Sequence, residues 1–283
     1  MIYSKTLDRS FETKDELFKE LKLNEDKIIS LKKADKTFSA EKGQISISGA
    51  YLKLANAYKA GIEAKEGCVY PVINTTRYMD MHDDVHFDGL WKKTLIEQKG
   101  KIFYLSGHSM KIDDVIAWPE DVKAFTQLID WSFVGKNYSG QTEALIFEID
   151  TSKIKKLSAL DALKEHRKVQ GSVSMMYVKV TMAVNSEDKD FAINKAYWDS
   201  HIDLIANKDK TIEQGYFFGV EEARIYKEGS MVLLGSNDAT EIIYPEDNRA
   251  VDDTLKTIEP PFNGTRPDYN FLLQGVKQLK SLK

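Results

Sequence analysis

Two kinds of apolar pattern follow one another along the chain. Between Thr13 and Lys33 apolar positions are sparse and helically spaced: Leu17, Phe18 and Leu21, then Ile28, Ile29 and Leu31. This predicts two short helices with narrow apolar stripes. Thr13 with Glu16 has the spacing of a capping box, and Asn24 is placed to cap the second helix, which ends in Lys32 and Lys33. Thin stripes point to an appended arm over residues 1–42, with a packed N-terminal hairpin as the equal alternative. From about Gly43 the pattern turns to strands. Ile45 and Ile47 alternate with serines, Val69 to Asn74 is β-branched, and KIFYLSG (101–107) and ALIFEI (144–149) are compact apolar runs. SVSMMYVKVTM (172–182) is longer, and 215–226 and 231–234 close the β-rich part. Helical spacing interrupts it at 52–64, 88–98, from Ser158 to about His166, and at 187–207. After Tyr244 the chain is polar and proline-interrupted, with a short helix expected over 271–282.

The reading is therefore an α+β core over 43–244, a helical arm before it and an irregular tail over 245–283. Strands and helices do not alternate regularly. That argues against a doubly wound parallel sheet and for an α+β fold or a decorated barrel.

Composition narrows the function classes. The chain has 283 residues, 42% hydrophobic and 30% charged, which is enough for a full core without disulfides. Lys plus Arg is 40 and Asp plus Glu is 44, a net charge of −4, so no global attraction to nucleic acid or anionic membrane is expected. Cys68 is the single cysteine, which excludes an internal disulfide framework and a CxxC zinc site and suggests a reducing compartment. The N-terminus carries no apolar signal core and no run reaches membrane-spanning length, so a soluble intracellular protein is expected.

No phosphate loop, dinucleotide fingerprint or GxSxG elbow occurs. Two constellations remain. His82, Asp83 and His86 place imidazoles four apart with carboxylates between them, a partial divalent-metal set without an evident further ligand, or simply a polar loop before a helix. His108 directly follows the strand Phe103–Ser106 and Gly107, a rigid platform for a general base, and Ser172 opens a long strand. A serine hydroxyl needs such an imidazole to take its proton and a third group to orient the ring.

Several blocks, taken in order, resemble the prohead (capsid maturation) serine proteases of tailed phages, relatives of the herpesvirus assemblins. Met81-His82-Asp83-Asp84-Val85 with Gly89-Leu90-Trp91 and Leu95 is similar to the family's "DxHGDV…GAF…L" opening. Ile102 to His108 is similar to its strand ending in the catalytic histidine. Ser172-Val173-Ser174-Met175 is similar to its "S-[IV]-G-[FM]" strand. Arg224 to Val232, running into Gly235-Ser236-Asn237, resembles "LyEvSlV…PAN" more loosely. The likeness covers about residues 70–240 and is nearest to the subgroup of phages of Bacteroidetes-type hosts. Ser174 replaces a family glycine, Gly235 replaces its proline, and residues 185–214 form an extra helical piece.

The resemblance implies an assemblin-like, mostly antiparallel β-barrel flanked by helices. It implies a serine endopeptidase with Ser172 as nucleophile, His108 as general base and Glu228 as the orienting carboxylate. Glu222, His166 and His201 stand as fallback third members, and Arg167 as a helper near Ser172. It further implies phage capsid and scaffold proteins as substrates, self-association, self-cleavage in the arm or tail, and action inside the procapsid in the host cytoplasm. No cofactor, metal, nucleic acid or membrane is called for. Two other functions stay open: an inactive protease-fold scaffold or capsid-assembly protein, and a metal-dependent hydrolase using His82, Asp83 and His86.

Overall fold

The longest apolar runs become the longest strands. The computed structural model describes residues 1–34, 62 and 64–245. Among them lie β1 (Ile2–Ser4), β2 (Arg9–Phe11), α1 (Lys14–Leu23), α2 (Glu25–Lys33), β3 (Cys68–Thr75) and β4 (Asp84–His86). Next come α3 (Lys92–Glu97), β5 (Phe103–Ser106), β6 (Val115–Ala117), β7 (Val122–Asp130) and β8 (Gln141–Asp150). They are followed by α4 (Leu157–Lys164), β9 (Gln170–Val184), α5 (Ala192–His201), α6 (Lys208–Gln214), β10 (Tyr216–Val232) and β11 (Ile242–Ile243).

The β9–β10 pair is the spine. It is antiparallel from Tyr216↔Val184 to Val232↔Gln170. Along its other edge β10 carries two short parallel strands end to end, β4 against Phe218–Val220 and β5 against Glu228–Met231. β6 extends β5, and a second, wholly antiparallel sheet runs β11-β3-β8-β7.

The fold is therefore α+β with a mixed sheet, an antiparallel sheet and a small β1–β2 ladder. The expected closed barrel is not formed among the described residues. The two large sheets meet through side chains rather than through a shared ladder, as in a sandwich. Val173, Met175, Ile225 and Met231 of one join Ile73, Leu145 and Phe147 of the other in a single core. The approach is closest at Gly171, where an added Cβ would stand 2.0 Å from the Val72 carbonyl oxygen, so no larger residue fits without moving backbone.

The first 34 residues are not an appendage. Leu17, Phe18, Leu21 and Ile28 are buried in the same core. Thr13 caps α1 by accepting from the Glu16 amide, while Glu16 reaches back to the amide of Glu12 instead of the cap residue. Asn24 precedes α2 but does not cap it with its side chain, which donates to the Glu20 carbonyl of α1. The helix expected over 88–98 shortens to α3, and that over 187–207 shortens to α5 with 3₁₀ turns at both ends. The two runs at 215–226 and 231–234 fuse into β10, bent by a bulge where Lys227 takes φ 65°. The strand around Ile45, most of the 52–64 helix and the whole 271–282 helix lie outside the described residues.

No helix among the described residues is long and apolar enough to cross a membrane.

Candidate active site

The candidate site lies where β5, β9 and β10 run side by side. β5 ends at Ser106, and the chain turns through Gly107 and His108, both with positive φ (62° and 58°), until the Ser109 amide donates to the Ser106 carbonyl. Two left-handed residues in succession are the signature of a tight primed turn. Gly107 takes that conformation without cost, and His108 takes it because other bonds hold it there. The Gly107 amide donates to the Met231 carbonyl, and the His108 amide donates to Ser230 Oγ at 3.0 Å. Ser109 Oγ ties the far side of the turn to Asp114, itself paired with Lys156.

This turn lays the imidazole over β10. His108 Nδ1 lies 2.7 Å from Glu228 Oε1, with the two side chains 10% and 3% exposed. The bulge at Tyr226–Glu228 resets the side-chain alternation of β10 just before the glutamate. Glu228 and Ser230 then share a face, since alternate strand residues point the same way. Ser230 Oγ donates to Glu228 Oε2 at 2.6 Å, and Ser174 Oγ donates to Glu228 Oε1 and sits 3.3 Å from His108 Nδ1. Both carboxylate oxygens thus have hydrogen-bond partners, Oε1 two and Oε2 one, as a buried carboxylate requires.

Ser172 stands directly opposite Ser230 in the ladder, and so on the face that carries Ser174, Glu228 and Ser230. No hydrogen bond joins it to His108. It is half-buried, whereas Ser174 is 2% exposed. The structure thus brings His108 and Glu228 into direct contact, adds Ser174 and Ser230 to them, and leaves Ser172 beside the group with its hydroxyl uncommitted. With Nδ1 turned to the carboxylate, only Nε2 is left to accept a proton from a nucleophile.

The fallback third members lie elsewhere. His166 stacks on Tyr244 with ring centroids 4.0 Å apart. His201 stacks on Tyr197, and its Nδ1 is 2.9 Å from the Tyr197 carbonyl. Glu222 faces Lys93. Arg167 pairs with Glu165 on the surface.

The second constellation is taken up by structural bonds. Asp83 accepts from Tyr216 at 2.8 Å and from Thr6 at 3.1 Å. His86 has Asn74 at Nδ1 (2.9 Å) and Tyr177 at Nε2 (3.0 Å). The His82 carbonyl accepts from Lys32 Nζ at 3.0 Å, so this residue buttresses the loop. Among the described residues no three His, Cys, Asp or Glu side chains gather in a metal-binding geometry. Cys68 is partly buried, and burial together with Glu148 and Asp150 pushes its thiol pKa up, away from the reactive thiolate.

The residues that sequence reasoning missed are Ser230, Asn74, Tyr177 and the buried pair Lys32–Asp84. Lys32 carried a signal: it falls four residues after Ile28, on the buried stripe of α2. Asn74 and Tyr177 sit inside apolar strands, where no local pattern marks a polar partner.

No family model, curated protein or solved structure matches the chain.

Proposed function

We propose that this protein is a serine endopeptidase of the prohead-protease type. The observation that supports this most is the buried contact of His108 Nδ1 with Glu228 Oε1, on a strand face that also carries Ser172. In this reading Ser172 attacks the scissile carbonyl and His108 Nε2 takes its proton, then returns it to the leaving amine. Glu228 holds the Nδ1–H tautomer and stabilises the imidazolium. Ser172 is preferred to Ser174 because a nucleophile must be reached by a peptide, and Ser174 is buried with its hydroxyl given to the carboxylate. The substrates would be capsid and scaffold segments in an assembling phage shell, an extension that rests on the sequence resemblance alone.

The test is to incubate the protein and its Ser172→Ala variant with the phage's capsid and scaffold proteins and follow intact masses. Discrete fragments from the native chain only support the protease. No fragments from either would favour the inactive scaffold role.

A further inference from the structure

Ser230 is fully buried, and its main chain is held from both sides, opposite Ser172 on β9 and Leu105 on β5. Its hydroxyl accepts from the main-chain amide of His108 at 3.0 Å and donates to Glu228 Oε2 at 2.6 Å. These directions are fixed, because an amide nitrogen only donates and leaves the one serine proton for the carboxylate. Glu228 Oε1 in turn meets His108 Nδ1 at 2.7 Å. The hydrogen bonds thus close a ring. The main chain of His108, through Ser230, and its imidazole, directly, are tied to the two oxygens of one carboxylate.

The ring constrains two soft parts of the site. The first is the His108 main chain. Its φ of 58° is a conformation that a residue with a side chain keeps only where its surroundings impose it. The bond from the Gly107 amide to Met231 fixes the residue before, and Ser230 fixes His108 itself. The second is the carboxylate. The last torsion of a glutamate is broad, and the partner that holds Oε2 is Ser230. Ser174 and the imidazole both meet Oε1, so neither stops the carboxylate from turning about that end. With Oε2 held, the plane of the carboxylate is set, and with it the direction of the imidazole.

We infer that Ser230 is a positioning residue, which acts on catalysis through His108 and Glu228 without touching the substrate. One rung of the ladder carries both the proposed nucleophile and the hydroxyl that aims its base, Ser172 opposite Ser230. The placement of the base relative to the nucleophile is therefore tied to main-chain pairing, the most rigid support a site can have. The catalytic part of the inference rests on the serine-protease reading. A misplacement of about 1 Å at a reacting group costs on the order of a hundredfold in rate.

Kinetics on a peptide spanning a cut that the native chain makes test this. Ser230→Ala should lower kcat roughly ten- to a hundredfold and leave KM within about twofold, because the contacts to the peptide are untouched. Ser230→Thr keeps the hydroxyl and should recover most of kcat. A folded Ser230→Ala with native kcat, or a folded Ser230→Thr no better than Ser230→Ala, overturns the inference.

A second readout needs no cleavage. In Ser172→Ala protein labelled with ¹⁵N-histidine, the His108 Nδ1–H proton should resonate far downfield, and it is assigned by its loss in His108→Asn. Adding Ser230→Ala should move that resonance upfield or broaden it by exchange with water, and Ser230→Thr should retain it. If Ser230→Ala does not fold, Ser230→Cys, which keeps the shape and donates weakly, takes its place. An unchanged resonance overturns the inference. A changed resonance in a protein whose native chain cleaves neither capsid nor scaffold protein keeps the Ser230 tether and removes the protease reading instead.

Discussion

His108 and Glu228 are 120 residues apart in sequence and 2.7 Å apart at Nδ1 and Oε1. The contact depends on a left-handed turn at the end of β5 and a bulge in β10. If Glu228 orients the imidazole, Glu228→Gln should leave the fold intact. It should lower kcat on the order of 10³–10⁴-fold, because the amide no longer fixes the working tautomer. Single-turnover kinetics on a cleaved substrate, beside a thermal melt, would check this. A variant with native kcat would show the contact to be structural only.

Ser174 and Ser172 should separate cleanly. Ser174 gives its hydroxyl to Glu228, so Ser174→Ala removes one hydrogen bond to a buried carboxylate, about 1.5–3 kcal/mol. Its activity should fall by roughly ten- to a hundredfold and not vanish. Ser174→Gly should behave similarly. Abolished activity in Ser174→Ala with an active Ser172→Ala would exchange their roles.

Lys32 and Asp84 are buried as an ion pair, with Tyr177 and the Phe218 ring around them. Lys32→Met fills similar space but removes the Lys32 ammonium from the buried Asp84 carboxylate. It should cost about 3–5 kcal/mol in urea unfolding. It should also loosen the 82–84 loop, which Lys32 ties to α2. An unfolding midpoint equal to the native one would contradict this.

Asp83 sets a pH dependence. Burial pushes its carboxyl above the ordinary value of 3.8, and Tyr216, Lys32 and Thr6 offset this only in part. A folded-state pKa above the unfolded one means that the group supports folding when protonated, below the unfolded value. That support is lost as pH rises through the folded value. Asp83→Asn should therefore gain stability over the native chain at neutral pH, and the gap should close below pH ~3.8. Asparagine also tolerates the φ of 60° at this position. Unfolding curves at pH 3, 5 and 7 decide it; a gap that widens toward acid would contradict the assignment.

Much of the β framework was legible because long apolar runs such as 172–182 leave few alternatives. The barrel was one of two readings of the strand and helix order and was sharpened by the resemblance, whereas the separate sheets depend on which strands pair, a non-local matter that periodicity does not encode. The first helices read as an arm because their stripes are narrow. They are core because Phe18 and Leu21 meet residues far along the chain. At the site, His108 and Glu228 were singled out through family-like blocks, and the structure brings their side chains together. Ser230 and Ser174 were not assigned as their partners, because a serine on a strand looks the same whether it bonds a carboxylate or water. Residue 172 against 174 is a question of burial, which spacing along a strand cannot answer.

The central claim is that Ser172 is the nucleophile of a His108–Glu228-assisted protease. The most direct test is intact-mass analysis of capsid and scaffold proteins incubated with the native chain and with Ser172→Ala. Discrete fragments are expected from the native chain and none from the variant. Equal fragmentation by both would contradict it.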